Sequence, residues 1–307
     1  CGLDAMLGDP RWLPHPVRLM GKVIAGYDQR ARRIVRSPSA QRAAGIVLAV
    51  GLPTISYAIG WLLIELGDQL HRVIGSALIV LLSFTALAAR DLVDHALAVL
   101  RALRTDSLDL ARAAVSRIVG RDTEKLSGSE IVRATVETIA ESASDGVIAP
   151  LFYLTVGGPP LALAYKAINT LDSMVGHQDA KYRYFGWASA RLDDLANWVP
   201  ARITALLLVL AAGIQIRTMR QAWCMLRRDG NKHPSPNSGR PEAAMAGALG
   251  VQLGGVNFYD GLASERPRLG DALVPLAPFH ITSALCLMAW ASLMAMTLAA
   301  AALYLWL

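Results

Sequence analysis

The chain is poor in cysteine and poor in charge. Its three cysteines, Cys1, Cys224 and Cys286, stand far apart, with no C-x-x-C pair and no Cys/His cluster at zinc spacing. That argues against a disulfide framework, an iron–sulfur centre and a structural zinc site, and suits a protein facing a reducing cytoplasm. Charged residues make up 18% of the chain, against roughly 25% in an average soluble domain. There is no G-x-x-x-x-G-K-[ST] motif, so a nucleotide would be held without a Walker loop. Basic residues do not interleave with aromatics in a nucleic-acid-binding pattern, which argues against nucleic acid as a partner. No strand-like alternation and no repeat of solenoid length is visible.

What is abundant is apolar. Hydrophobic residues make up 54% of the chain and the mean hydropathy is +0.38. Residues 43–66, 73–89 and 281–307 read as membrane spans, since a span needs roughly 20 apolar residues. Residues 199–216 read as a further span, with Arg202 near one end, continuing as a basic helix to Arg228. Residues 146–165 are uncharged but interrupted by Gly157-Gly158-Pro159-Pro160, which no helix crosses smoothly. They are either one kinked span or a re-entrant pair of half-helices.

Eight Lys/Arg precede residue 43, including "RARRIVR" at 30–36. The positive-inside rule puts that segment in the cytoplasm, the 67–72 loop outside and the 90–145 stretch inside. The latter spaces its apolar residues three and four apart among frequent charges, as an amphipathic helical segment of soluble type does. The expected architecture is an all-α, polytopic integral membrane bundle, a single domain over 1–307 with helical cytoplasm-facing loops, in the cell inner membrane. The net charge of +6 suits anionic lipid or anionic substrates.

Four polar stretches interrupt the apolar pattern. In "LGDPRWLPHPVRLMGKVI" (7–24), Arg11, His15 and Arg18 supply donors, although a basic turn at the membrane surface explains them equally well. In "LSGSEIVRATVETIAESASDGVIAPLFY" (126–153), Ser127 and Glu130 have capping-box spacing. Glu137, Glu141 and Asp145 follow at i, i+4 and i+8 on one helix stripe. Like charges at that spacing repel by a few tenths of a kcal/mol; a divalent cation would compensate, and a solvated acidic face is the plain alternative.

The stretch 165–202 mixes Lys166, Asn169, Asp172, His177, Arg191, Asp193 and Asp194 with tyrosine and tryptophan. Asp172 with Asp193 or Asp194 forms a second candidate metal or general-base group. Last, "KHPSPNSGRPEAAMAGALG" (232–250) places Lys232, His233, Ser235, Asn237, Ser238 and Arg240 before a helix opened by Pro241 and Glu242, as an anion-binding turn would. A simple capped helix start is again the alternative. The stretch 254–271 adds Asn257, Tyr259, Asp260, Glu265, Arg266 and Arg268, read as a surface loop closing over the same site.

The blocks "GDPRWLPHPVRLMG", "SDGVIAPLFY", "YKAINTLDSMVGH", "FGWASARLDDLANWVPAR" and "KHPSPNSGRPEAAMAGALGVQLGG" together resemble the adenosylcobinamide-phosphate synthase (cobinamide synthase) family of cobalamin biosynthesis, in consistent order over nearly the whole chain. The resemblance implies a membrane ligase. It would join the amino group of (R)-1-aminopropan-2-ol O-phosphate, or a related aminoalcohol, to the free propionate carboxylate of adenosylcobyric acid, using ATP and Mg2+. Other cobalamin-pathway enzymes are the expected protein partners.

On that reading Glu137, Glu141, Asp145 and Asp193 are metal ligands, and Asp172, Asp194 and His177 are catalytic. Lys232, His233, Ser235, Asn237, Ser238, Arg240, Arg11, His15, Arg18, Lys166, Asn169 and Arg191 bind substrate or phosphate, in an active site facing the cytoplasm. Ser142 departs from the family pattern, which has Asn there, and only a stub precedes Gly8-Asp9-Pro10 where the family has an apolar lead-in. The alternatives from other classes are a corrinoid transporter and a non-catalytic membrane scaffold.

Overall fold

The computed structural model describes residues 15–105, 107–177, 179, 181–215 and 218–306. In chain order the helices are α1 Pro16–Ile34, α2 Pro38–Leu70, α3 Arg72–Thr85, α4 Ala89–Arg104, α5 Leu108–Val115 and α6 Gly128–Ser142. A π-helical turn, Ala143–Ile148, leads to α7 Ala149–Val175, α8 Trp187–Ala196, α9 Trp198–Gln215, α10 Met219–Asp229 and α11 Gly239–Leu249. Strands β1 Leu253–Tyr259 and β2 Leu262–Leu269 precede α12 Phe279–Trp306.

Among the described residues, four runs are long and apolar enough to cross a bilayer: Pro38–Leu70, Arg72–Arg104, Gly128–Val175 and Phe279–Leu305. The pair α8 and α9, bent by 48°, is a possible fifth. Large apolar side chains on α2, among them Val47, Val50, Ile55, Ile59 and Leu62, are exposed. Such a face is stable against lipid rather than water. The protein is a multi-pass helical membrane protein.

The 73–89 window falls within the apolar run Arg72–Arg104, in which α3 ends at Thr85 and α4 begins at Ala89. One expectation about spans changes: the fourth does not run on to Arg228, because α9 ends at Gln215 and α10 starts afresh at Met219.

The chain divides into two compact units, residues 1–88 with 149–197, and residues 89–148 with 198–307. In the first, α1 begins at Pro16 with His15 as its N-cap, the imidazole Nδ1 accepting from the Val17 amide at 3.3 Å. Ser37 caps α2 in the same way. The core joins Met20 and Ile24 of α1, Leu48 and Leu52 of α2, Leu82 of α3, and Leu163, Leu171 and Val175 of α7, with Phe185. Gly45 lets α2 reach the chain at Phe185, whose carbonyl oxygen lies 1.9 Å from where a Cβ would sit. As the Gly-Gly-Pro-Pro stretch requires, α7 is broken. Gly157 and Gly158 have non-helical backbone angles and Gly158 has φ +67°, a conformation glycine adopts freely.

In the second unit α11 is buried on every side. Its small residues permit this: Gly247 lies so close to α10 that a Cβ would come within 2.8 Å of Ala222 Cα. The π-helical turn extends α6 with a wider register. The stretch 254–271, expected to be a loop, is largely an antiparallel hairpin, with Tyr259 paired to Leu262. Its two-residue turn, Asp260-Gly261, has φ +50° and +77°, as tight hairpin turns require.

Candidate active site

The second unit gathers a polar centre around α6. That helix starts at the Ser127–Glu130 capping box expected from the sequence, with both reciprocal bonds formed. One helical turn apart, Arg133, Glu137 and Glu141 then project along one stripe. Asp145 does not continue it in α register, because it falls within the π-helical turn.

Arg121 donates to the carboxylate of Glu137 and to Asn257 Oδ1. Arg133 donates to the carbonyl of Gly254, and at 3.1 Å to the carbonyl of Val256 and to Asn257 Oδ1. Glu137 also accepts from the Gly254 amide at 2.8 Å. The base of the hairpin is thus bolted to α6. Asp122 holds its tip, accepting from the amides of Asp260 at 3.2 Å and Gly261 at 2.8 Å.

The serine turn meets this centre. Ser238 Oγ donates to Glu141 Oε1 at 3.0 Å, joining two stretches read separately in the sequence. Ser235 Oγ accepts from the amides of Asn237 and Ser238, both at 3.3 Å, so it occupies the concavity those amides form. His233 Nδ1 accepts from the Ser235 amide at 3.0 Å, and its Nε2 faces Arg266 Nη1 at 2.9 Å. Arg266 also donates to Tyr259 Oη at 3.0 Å. Burial, then the neighbouring Arg266 charge, pushes the His233 pKa down to about 4, so the ring is neutral at neutral pH.

Glu242, buried in the first turn of α11, is pushed well above the ordinary carboxylate range, first by burial and then by the charges of Glu137 and Glu141. Two cations of the turn are committed elsewhere. Lys232 binds Asp229 at 2.7 Å and Arg240 donates to Asn231 at 2.6 Å. Asp229, fully buried, also takes Arg228 and the Gly270 amide at 2.8 Å each, which fixes the turn to the end of β2. The Arg228 hydrogen bonds hold its carboxyl below the usual range.

The first unit has its own polar centre on α7 and α8. Tyr165 Oη donates to Asn197 Oδ1 at 2.9 Å, and Asn197 Nδ2 donates to Asp193 Oδ2 at 3.0 Å. Asn169 hydrogen-bonds Asp193, and the charges of Asp172 and Asp194 act on it. Asp193 Oδ1 is buried with no hydrogen-bond partner. Lys166 is buried nearby in sequence on α7. Arg191 pairs with Asp194 at 3.6 Å. His177 is exposed, its ring 6.2 Å from Tyr182. In the same unit, His15 caps α1 and Arg18 lies exposed on it; Arg11 lies outside the described residues.

The expected metal ligands are therefore divided: Glu137, Glu141 and Asp145 belong to one unit and Asp193 to the other. No group of three or more His, Cys, Asp or Glu among the described residues is placed to hold a metal ion. The acidic stripe does not fit a magnesium site as a set, since Arg121 already balances Glu137. The Asp172–Asp193 pair fits better. Two like charges share a partly buried place, one carboxylate oxygen lacks a partner, and magnesium on a nucleotide needs only one or two protein carboxylates.

The CobD/Cbib protein family model matches residues 1–288. The chain belongs to that family. It is 50% identical over 274 residues to the cobalamin biosynthesis protein CobD of Geobacter metallireducens, covering 89% of this chain and 85% of that protein. It is 46% identical over 300 residues to CobD of Klebsiella pneumoniae, covering 96% and 93%. With the cobalamin biosynthesis protein CbiB of Salmonella typhi it shares 44% over 304 residues, covering 98% and 94%. No solved structure matches. This CobD/CbiB chain is accordingly a membrane protein of cobalamin biosynthesis.

Arg121 and Arg133 are central to the geometry and were not anticipated. Arg133 had a local signal, standing four residues before Glu137. Arg121 had none, because its partners Glu137 and Asn257 are 16 and 136 residues away.

Proposed function

We propose that the protein is the amide-forming ligase that attaches an aminoalcohol phosphate, (R)-1-aminopropan-2-ol O-phosphate or a relative, to the free propionate of adenosylcobyric acid, with ATP as co-substrate. Within family membership, the observation that carries this reading is the contact between Ser238 and Glu141. It brings the acidic helix and the serine turn together, with Arg121, Arg133, Arg266 and His233 in the same polar centre. Mixed positive and negative side chains suit charged small molecules better than an apolar passage.

A carboxylate is a poor electrophile. The propionate oxygen attacks the γ-phosphorus of ATP, ADP leaves, and an acyl phosphate results. The amine then attacks the acyl carbon and inorganic phosphate leaves. Both steps rest mainly on positioning and charge neutralisation. Arg266, His233 and Ser238 supply donors for phosphate oxygens. Glu141, exposed beside Ser238, is our candidate for accepting the ammonium proton. The Asp172–Asp193 pair of the other unit would suit a divalent cation and is given no step in this reaction. Arg121 and Arg133 act by holding the hairpin and Glu137 in place. We place the site on the cytoplasmic face of the inner membrane, where the basic segment before residue 43 orients the chain.

The test is a mass-spectrometric assay on detergent-purified protein given adenosylcobyric acid, aminopropanol phosphate, ATP and magnesium. The expected product is adenosylcobinamide phosphate, with ADP and phosphate in equal amounts, and Glu141→Gln should lower its rate. No amide from folded protein in the complete mixture would refute the reading.

A further inference from the structure

His233 sits between two donors. The Ser235 amide lies 3.0 Å from Nδ1 and Arg266 Nη1 lies 2.9 Å from Nε2. A neutral imidazole has one acceptor nitrogen and one N–H. Whichever tautomer is drawn, one contact sets N–H against N–H, and protonating the ring would make both so. The Ser235 amide is fixed by the turn, so the surplus proton belongs on Nε2, facing the guanidinium. An anionic oxygen lodged between Nε2–H and Arg266 would accept from both.

From His233 the contacts run the other way to a carboxylate. Ser235 follows His233 in the turn, Ser235 Oγ is 3.4 Å from Ser238 Oγ, and Ser238 Oγ is 3.0 Å from Glu141 Oε1. Glu141 is exposed. Its neighbour Glu137 is balanced by Arg121, and Glu242 is buried below. A place for an anion and an exposed carboxylate thus lie at the two ends of one short row of side chains.

Resting on the ligase reading above, we infer that this row seats the aminoalcohol phosphate rather than the nucleotide, its phosphate bridging His233 and Arg266 and its ammonium meeting Glu141 beside Ser238. An aminoalkyl phosphate carries both charges within one small molecule. ATP answers Glu141 only through its magnesium, and the two can therefore be told apart by leaving magnesium out.

The experiment is isothermal titration of the full chain in detergent, without nucleotide, magnesium or corrinoid. The probes are (R)-1-aminopropan-2-ol O-phosphate, the unphosphorylated aminoalcohol and inorganic phosphate, with magnesium–ATP titrated separately. The aminoalcohol phosphate should bind saturably, and Arg266→Gln should weaken both it and inorganic phosphate at least tenfold. Glu141→Gln should weaken the aminoalcohol phosphate at least tenfold yet leave inorganic phosphate as tight or tighter. A damaged fold would weaken both together, so that opposition is specific to the proposed contact; Arg266→Lys, which keeps the charge, should recover part of the loss.

The proposal is overturned if the aminoalcohol phosphate does not bind. It is equally overturned if Glu141→Gln weakens both probes alike, or if Arg266→Gln affects magnesium–ATP alone. Amide formation measured in parallel separates the two claims. Amide formed with an affinity indifferent to Arg266 and Glu141 rejects this placement and spares the ligase reading; the predicted binding pattern with no amide does the reverse.

Discussion

Glu137→Gln and Glu141→Gln each remove one charge from α6, one turn apart, yet their effects should differ sharply. Glu137 is 13% exposed and its partner Arg121 is 7% exposed. Its carboxylate also lies 4.0 Å from Arg133 and accepts the Gly254 amide at 2.8 Å. Neutralising it leaves two guanidinium groups close together without the anion between them. Removing one member of a buried pair costs about 3–5 kcal/mol. Since Arg121 keeps Asn257 and a glutamine oxygen still accepts from Gly254, the lower end applies, about 3 kcal/mol.

For a chain of this size each kcal/mol moves the melting temperature by roughly 2–4 °C, so Glu137→Gln should melt about 6–12 °C lower. Glu141 is exposed and offers one bond, to Ser238, worth about 0.5 kcal/mol, or 1–2 °C. Tryptophan fluorescence during heating in detergent measures both, and proteolysis at the Asp260-Gly261 tip reports release of the hairpin. Replacing Arg121 and Glu137 together by methionine should restore only part of the loss, because Arg133 still lacks that anion and the Gly254 amide its acceptor. If Glu137→Gln melts within 2 °C of the parent, or the two variants melt alike, the division of α6 into an anchoring and an available carboxylate is wrong.

Three further outcomes can be checked. Glu242 keeps a proton in the folded protein that the unfolded chain loses above about pH 4.5, so stability falls as pH rises from there towards the folded pKa, by at most about 1.4 kcal/mol per unit; Glu242→Gln should melt higher than the parent at pH 8, with the gap shrinking towards pH 5. Asp229 is held below its unfolded pKa, so its stabilisation is full above about pH 4 and lost as pH falls further; Asp229→Asn should melt lower at pH 7 and show a shallower decline between pH 5 and 2. Gly45→Ala should destabilise by about 1–3 kcal/mol through overlap with the Phe185 carbonyl, whereas Gly51→Ala on the same helix, with nothing within 4 Å, should not.

Local chemistry was legible in the sequence and long-range pairing was not. The Ser127–Glu130 box, the cores of α2 and α12 and the break at Gly157-Gly158 follow from neighbouring residues, so reading along the chain finds them. The acidic stripe was legible only to Glu141, because the i+4 rule assumes α register and the π-helical turn ends it before Asp145. The hairpin was hidden because Gly254, Gly255 and the charged Glu265-Arg266-Pro267-Arg268 blur its alternation. Its one clear signal was Asp260-Gly261 between Tyr259 and Leu262. Lys232 and Arg240 looked available for an anion because nothing in the local pattern marks their partners, Asp229 and Asn231, as such.

The same contacts bear on transport as a rival activity. A broken helix followed by ionisable residues is how many transporters build a substrate site, with unwound backbone turned towards the ligand. Here α7 has the break, and Lys166, Asn169 and Asp172 follow it. But apolar packing crowds the helix just past the break. A Cβ on Gly157 would lie 2.7 Å from the Leu161 side chain, and Gly60 of α2 approaches so closely that its Cβ would be 2.9 Å from Leu163 and 3.2 Å from Pro160. Pro160 and Leu163 are both buried. The broken backbone thus serves helix packing within its own unit, while the richest array of charged donors and acceptors is built from α6, the serine turn and the hairpin, a combination suited to binding and activating small charged molecules.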